Sequence, residues 1–193
     1  MRSVRVGDIA VFNYIYGWKE GKIALKPDYV YTKRCVACPG DSICIRGGYY
    51  VNSRTGSDTG IPEYAQRNLS STPDSVLAGW GVALKAFSPC RALGWTIKEF
   101  GPLYVPAKGD TLWLNRMDSE IHYRLIEYET GIRPVIKGDK MVLGDNVISQ
   151  YVFRHDWYFF AGDNVLDSKD SRYIGLVPDD FIIGIVIPSN NRS

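Results

Sequence analysis

No stretch of this sequence is apolar for the roughly 20 residues that a helix needs to cross a bilayer. The longest such run, Phe181 to Ile187, is the length of one buried strand. At the N-terminus Arg2 is followed by Gly7-Asp8 rather than by an apolar segment, so no export signal is visible. Charge of one sign is not in excess either, because 23 Lys and Arg face 21 Asp and Glu for a net of +2. No basic stripe interleaved with aromatics occurs, which argues against nucleic acid as a partner. Histidine is scarce, at two residues, and neither a second Cys-x-x-Cys nor a paired His motif is present. Zinc-ligand spacing is therefore not met, and no metal or other cofactor is expected.

What is present is the material of a core. Hydrophobic residues make up 45% of the chain and aromatics 13%, with 13 Tyr and 5 Trp, a payload foreign to disordered chains. A length of 193 residues suits one domain, or two small ones sharing a seam. The cysteines are Cys35, Cys38, Cys44 and Cys90. Cys35-x-x-Cys38 has the spacing of a redox pair, but it falls in an extended run, where a rise of about 3.3 Å per residue carries the sulfurs too far apart to bond, so all four read as ordinary buried thiols.

Ile9 to Phe12, Tyr29 to Thr32, Ser42 to Ile45, Tyr49 to Val51, Thr111 to Leu114 and Trp157 to Phe160 are short β-branched or aromatic runs that read as strands. Turn residues punctuate them at Cys38-Pro-Gly-Asp41, Arg46-Gly-Gly48, Ala107-Lys-Gly-Asp110 and Lys137-Gly-Asp139, which predicts hairpins. Two helices are expected, over Pro73 to Ala86 behind Ser71-Thr72, and over Ser119 to Thr130, where Ile121, Leu125 and Tyr128 recur at helical spacing. The polar segment from Ser53 to Ser75 reads as a long exposed loop.

Two stretches carry chemistry. In Tyr31-Thr32-Lys33-Arg34, ahead of Pro39-Gly40-Asp41, two cations follow one another on an apolar strand. Alternation sends them to opposite faces, so one must approach a buried side. Lysine, unlike arginine, escapes that cost by losing its proton, with values as low as about 5–6 known for fully desolvated amines, and a neutral lysine is a general base. The second stretch, Gly162-Asp163-Asn164 through Ser168, Asp170, Arg172 and Gly175, packs small polar residues between apolar runs. A calcium loop is excluded, because Val165 and Ser168 break the required ligand and glycine positions. The plainer alternative is a solvated turn braced by an Asp170–Arg172 pair.

These blocks resemble the type I (leader) signal peptidases, the S26 family of Ser/Lys proteases, in the form seen in Bacteroides-like bacteria. Arg5-Val-Gly7-Asp8-Ile-Ala-Val-Phe12 is similar to the family's R-G-D-I-V-V-F block, and Lys33-Arg34 through Pro39-Gly40-Asp41 to its K-R-x-x-G-x-P-G-D block. Gly162 through Gly175 is similar to G-D-N-x-x-x-S-x-D-S-R-Y-x-G. The resemblance covers both ends of the chain well and the middle loosely.

It implies a mainly antiparallel β fold, with a discontinuous catalytic core from residues 1–42 and 151–193 and an inserted β-rich subdomain with minor helix over 43–150. Lys33 would be the general base of a Ser/Lys dyad and Ser168 the group that orients it. Arg34, Asp163, Asp170 and Arg172 would form structural ion pairs, and Val30, Tyr31 and Thr32 would offer a strand edge to an extended substrate with small residues before the cut. The partners implied are precursor proteins bearing signal peptides and the surface of the bacterial inner membrane that anchors the parent, with the catalytic domain facing the periplasm. An exposed apolar patch near the site is expected to meet that membrane.

The family's nucleophilic serine lies in an S-M-x-P-T block ahead of the Gly7-Asp8 block, and the sequence lacks it. Ser3 has neither the following Met nor the Pro. The oxyanion donors belong to the same block, so these residues alone are expected to be inactive. Ala37, Val165 and Cys38 depart from the family pattern without removing a catalytic group. Two other readings compete. One is a thiol protease pairing Cys35 or Cys38 with His122 or His155, although a structural role suits both histidines better. The other is a non-catalytic β-rich peptide-binding homologue, which the residue at the serine position would distinguish.

Overall fold

The computed structural model describes residues 2–16, 23–86 and 93–187, so Cys90 lies outside the described residues. Its largest sheet has five strands in the order β12-β11-β2-β1-β13, formed by β1 (Ile9–Tyr16), β2 (Ala24–Ala37), β11 (Trp157–Ala161), β12 (Val177–Pro178) and β13 (Ile182–Ile185), all antiparallel. The segment between β2 and β11 folds into three smaller sheets. They are β4-β3-β5, from β3 (Ser42–Arg46), β4 (Tyr49–Asn52) and β5 (Phe100–Tyr104); β10-β6, from β6 (Thr111–Trp113) and β10 (Gln150–Val152); and the meander β7 (Val135–Lys137), β8 (Lys140–Leu143), β9 (Asn146–Ile148).

The large sheet is buried on both faces where β11 crosses it. Val36, Ala37, Trp157, Phe159 and Ala161 join one core cluster with Ile43, Ile45, Tyr50, Phe100 and Leu125 of the intervening segment. Ala10, Phe12, Cys35, Cys38, Tyr158 and Phe160 form the second cluster with Ile174, Val177 and Phe181. All five residues of β11 are buried, which explains why Trp157-Tyr-Phe-Phe-Ala161 shows no apolar–polar alternation.

Several expectations need correction. The Phe181–Ile187 run is not a buried strand. Its strand, β13, lies at the edge of the sheet, pairs with β1, and leaves Ile183 50% exposed. The helix expected over 73–86 is only α2 (Asp74–Gly79), because Gly81 turns left-handed at φ +82° and the Val82 N–H closes back onto the Leu77 carbonyl at 3.0 Å. The polar segment 53–75 is not all loop. It contains α1 (Glu63–Ser71), whose inner face buries Ala65, Gln66 and Leu69. Gln66 is buried there because its amide serves two backbone groups, accepting from Tyr50 N at 2.8 Å and donating to Ile61 O at 2.9 Å.

The cysteine spacing also differs from the extended-strand reading. Between Phe159/Phe160 on β11 and Ala37/Cys35 on β2 the register shifts, so β2 carries one extra residue, Val36. This bulge puts Val36 and Ala37 together in the first core cluster and Cys35 with Cys38 in the second. A regular strand would have sent Cys35 and Cys38 to opposite faces; here their sulfurs are 3.6 Å apart as free thiols.

Helix α3 (Arg116–Thr130) begins earlier than the periodicity predicts, because Asn115 caps it by accepting the Asp118 N–H at 2.9 Å. It buries His122, whose Nδ1 lies 3.0 Å from Asp118 O and Nε2 3.4 Å from Tyr104 O. Both carbonyls favour the imidazolium, yet burial outweighs them and lowers the pKa. His122 therefore stays neutral in the fold while the unfolded chain takes up a proton below about pH 6.5. Its contribution to stability is whole above that pH and is lost as the pH falls toward the depressed folded value. Urea titrations should show stability falling as the pH drops below about 6.5, by at most about 1.4 kcal/mol per pH unit from this group. In His122→Gln that part of the slope should vanish whatever the overall stability; parallel slopes would show that His122 does not titrate differently on folding.

Candidate active site

The site lies where β2 meets the loop that follows β11. Tyr31 and Lys33 share a face of β2, with Lys33 Nζ 5.3 Å from the Tyr31 ring centre. Tyr31 in turn packs edge-on against Tyr14, Tyr29 and Phe12. Burial, helped by Tyr14 and Tyr29, pushes the Tyr31 phenol up to about 12, so it stays protonated. Lys33 is half-buried rather than sealed from water. Its Nζ donates to Ser168 Oγ at 3.0 Å across 135 residues of sequence.

Arg34 points the other way. It grips Asp163 with two hydrogen bonds, Nε to Oδ1 and Nη2 to Oδ2, both 2.7 Å, and gives Nη1 to Gly7 O at 2.7 Å. The paired carboxylate holds the Arg34 pKa above its ordinary value. The Gly162-Asp163 turn and the Gly7-Asp8 turn are thereby fastened to one side chain.

Asp170 and Arg172 form the second pair, and both are completely buried. Asp170 Oδ1 accepts from Arg172 Nε at 2.9 Å and from the Arg172 backbone N–H at 3.2 Å. Its Oδ2 accepts from Arg172 Nη2 at 2.9 Å and from Gly162 N at 3.0 Å. Arg172 Nη2 also reaches Val165 O at 2.9 Å. The pair of the solvated-turn alternative is therefore present but buried, while Asn164, Asp167 and Lys169 of the same loop are exposed. Asp170 caps the short helix α4 (Ser171–Ile174), and Ser171 Oγ accepts the Phe160 N–H at 3.0 Å beside the β2 bulge.

Val30 and Thr32 are exposed on β2, and Val30 is 49% accessible. β11 pairs with β2 only at Arg34, Cys35 and Ala37, so on that side residues 25–33 have no strand partner among the described residues. A cavity of about 220 Å³ opens there, lined by Thr32, Lys33, Gly162 and Ser168. A neighbouring cavity of about 330 Å³ shares Ser168 and is walled by Gly81, Val82, Ala83, Leu166 and Tyr173. Tyr173 holds this wall by donating its hydroxyl to Ala83 O at 2.8 Å. Sequence reasoning missed Gly81 to Ala83, because nothing local marks a loop that is fixed by a contact 90 residues away.

It also missed the reason for Gly162. A Cβ there would overlap Ser168 Oγ and lie 2.6 Å from Ser168 Cβ and 3.4 Å from Lys33 Nζ. Its signal was the glycine itself, opening a block in which close approach of another group needs the missing side chain.

The thiol-protease pairing is overturned. Among the described residues the polar neighbours of the two sulfurs are each other, Ala37 O and Val4 O, while His122 engages backbone carbonyls and His155 Nδ1 pairs with Asp179 at 2.7 Å. His155, Asp179 and Asp180 bring ligand atoms within 4.8 Å of one another at the surface, the one set among the described residues with metal-ligand geometry, and none of them lines the Lys33–Ser168 cavity. Among the described residues no helix is long and apolar enough to cross a membrane.

The family model described as "Signal peptidase, peptidase S26" matches residues 1–188. Class and fold agree: this is a peptidase of mainly antiparallel β architecture. The chain belongs to the S26 signal peptidase family. Among solved structures it is similar to a signal peptidase I from Enterococcus faecalis V583, at 13% identity and a TM-score of 0.45, covering 97% of this chain and 99% of that one. Comparison with curated proteins gives no match.

Gly162→Ala should destabilise the protein by about 1–3 kcal/mol, since Ser168 has to move and the backbone is otherwise compatible with alanine. Adding Ser168→Gly should recover most of that loss in a double-mutant cycle. Strictly additive effects would show that the two residues do not meet as described.

Proposed function

We propose that this chain carries the base and its supports for a type I signal peptidase that cleaves signal peptides from precursor proteins with a Ser/Lys dyad. The observation that carries the reading is the Lys33 Nζ–Ser168 Oγ hydrogen bond of 3.0 Å, made by two family blocks from opposite ends of the chain. With one Nζ–H held by Ser168, Lys33 is positioned at the cavity, where as a neutral amine it would accept the proton of a serine hydroxyl attacking a peptide carbonyl. Lys33 takes the hydroxyl proton and returns it to the leaving amine. The S-M-x-P-T block that would supply the hydroxyl and oxyanion donors does not occur among the 193 residues, so these alone should cleave nothing.

The substrate would add as a strand beside Val30, Tyr31 and Thr32, where the edge of β2 is unpaired. Backbone pairing accepts many sequences, and a preference for small side chains would be set where the substrate meets the cavity lined by Thr32, Lys33 and Ser168. The residues 1–42 and 151–193 would bear the chemistry, with 43–150 walling its far side through Gly81 to Ala83. Exposed Leu25, Tyr29 and Val30 on the same hairpin support contact with the outer leaflet of the inner membrane, the catalytic domain facing the periplasm.

The test uses a chain that carries the S-M-x-P-T block ahead of Gly7-Asp8. Lys33→Met should abolish precursor cleavage while circular dichroism and unfolding stay near those of the parent, and Ser168→Ala should lower kcat by about 10²-fold with KM little changed. Cleavage that survives Lys33→Met would remove the lysine from the mechanism, whereas an unsubstituted chain that binds precursors without cutting them would make a peptide-binding homologue the better description.

A further inference from the structure

We propose that Cys35 and Cys38 form a reversible dithiol–disulfide site, closed by exchange with a low-molecular-weight disulfide of the glutathione class. Neither thiol belongs to the machinery described above, and the inference does not depend on the proposed function. The bulge at Val36 turns both side chains into one cluster and brings the sulfurs to 3.6 Å. Their other polar contacts are weak ones to carbonyls, Ala37 O at 3.5 Å and Val4 O at 3.6 Å, so closing the pair displaces no strong hydrogen bond. A covalent bond of about 2.05 Å requires the sulfurs to approach by roughly 1.5 Å. Side-chain rotation and the bulge can absorb that, since Val36 is the extra residue of the ladder.

The two thiols are unequal, which sets the order of events. Cys38 is 8% exposed and Cys35 fully buried. The contact between the two sulfurs, in which either can donate, holds the Cys38 thiol below its usual range, while the same contact and burial push Cys35 well up. Cys38 therefore attacks first. Its thiolate displaces one thiol from the small disulfide and forms a mixed disulfide. Cys35 then gives up its proton and attacks the Cys38 sulfur, releasing the second thiol. Two protein thiols are oxidised and one disulfide is reduced to two thiols, with both cysteine protons passing to the released sulfurs. Cys44, the other described thiol, lies outside the cluster on β3 and serves as a background to remove.

The test equilibrates a Cys44→Ser/Cys90→Ser chain in glutathione buffers of graded oxidised-to-reduced ratio, quenches in acid, unfolds, labels with N-ethylmaleimide and reads the intact mass. As the buffer becomes oxidising, the species with two maleimide labels should give way to one with none and a mass lower by two hydrogens, restored by dithiothreitol. Cys38→Ser in that background should keep one labelled cysteine throughout. Two labels at every ratio, or a product that stops at the glutathione mixed disulfide, would overturn the proposal. Peptide mapping of the unsubstituted chain for a 35–38 linkage decides the matter should the double variant not fold.

Discussion

The placement of the site rests on one buried charge pair. Asp170 and Arg172 lie wholly out of water, and each Asp170 oxygen accepts two hydrogen bonds. Such a pair contributes little net stability over an apolar substitute, because desolvation consumes most of its Coulombic gain. Its value lies in geometry, since four bonds to one carboxylate fix the Gly162 backbone, the first turn of α4 and, through Arg172, the Val165 carbonyl. Ser168 lies within that span. Its hydroxyl meets Lys33 because the chain on both sides of it is held.

The other pair works differently. Arg34 and Asp163 make a bidentate contact, but their side chains are 18% and 41% accessible. Water and salt screen a pair of that exposure to about 1 kcal/mol or less, whereas leaving one partner of the buried pair uncompensated costs about 3–5 kcal/mol. Arg34 therefore acts as a clip across the Gly7 and Gly162 turns, and Asp170–Arg172 as the anchor. The two cations of Lys33-Arg34, successive in sequence, are separated by strand alternation into a chemical face and a structural one.

Much of this was legible in the sequence because it is local. Apolar runs and Gly/Pro/Asp turns marked the strands β1 to β4, β6 and β11, and the Lys33-Arg34 and Gly162-to-Gly175 blocks stood out through residue types that are costly to place in apolar surroundings. What stayed hidden depends on contacts made only in the fold. Helix α1 hides in a polar segment because Gln66 is buried by hydrogen bonds that composition cannot show. The turn at Lys137-Gly-Asp139 pointed to the β7–β8 hairpin, but the short strands β5, β9, β10 and β12 were not marked and exist through their partners. The meeting of Cys35 and Cys38 needed a register shift against β11, a property of the pair of strands and not of either alone.

That bulge also bears on how Lys33 is held. Along β2 the chain passes from the Tyr31–Lys33 face, through the Arg34 clip, to the bulge at Val36, within six residues. On the partner strand the ladder irregularity leaves the Phe160 N–H to Ser171 Oγ, so the start of α4 is tied to the same point. The bulge thus lies next to the attachments of both residues of the Lys33–Ser168 contact, β2 on the side of the amine and α4 with Asp170 on the side of the hydroxyl. The defect in the ladder sits where the two chain segments of the candidate site come together, the placement common for bulges beside sites.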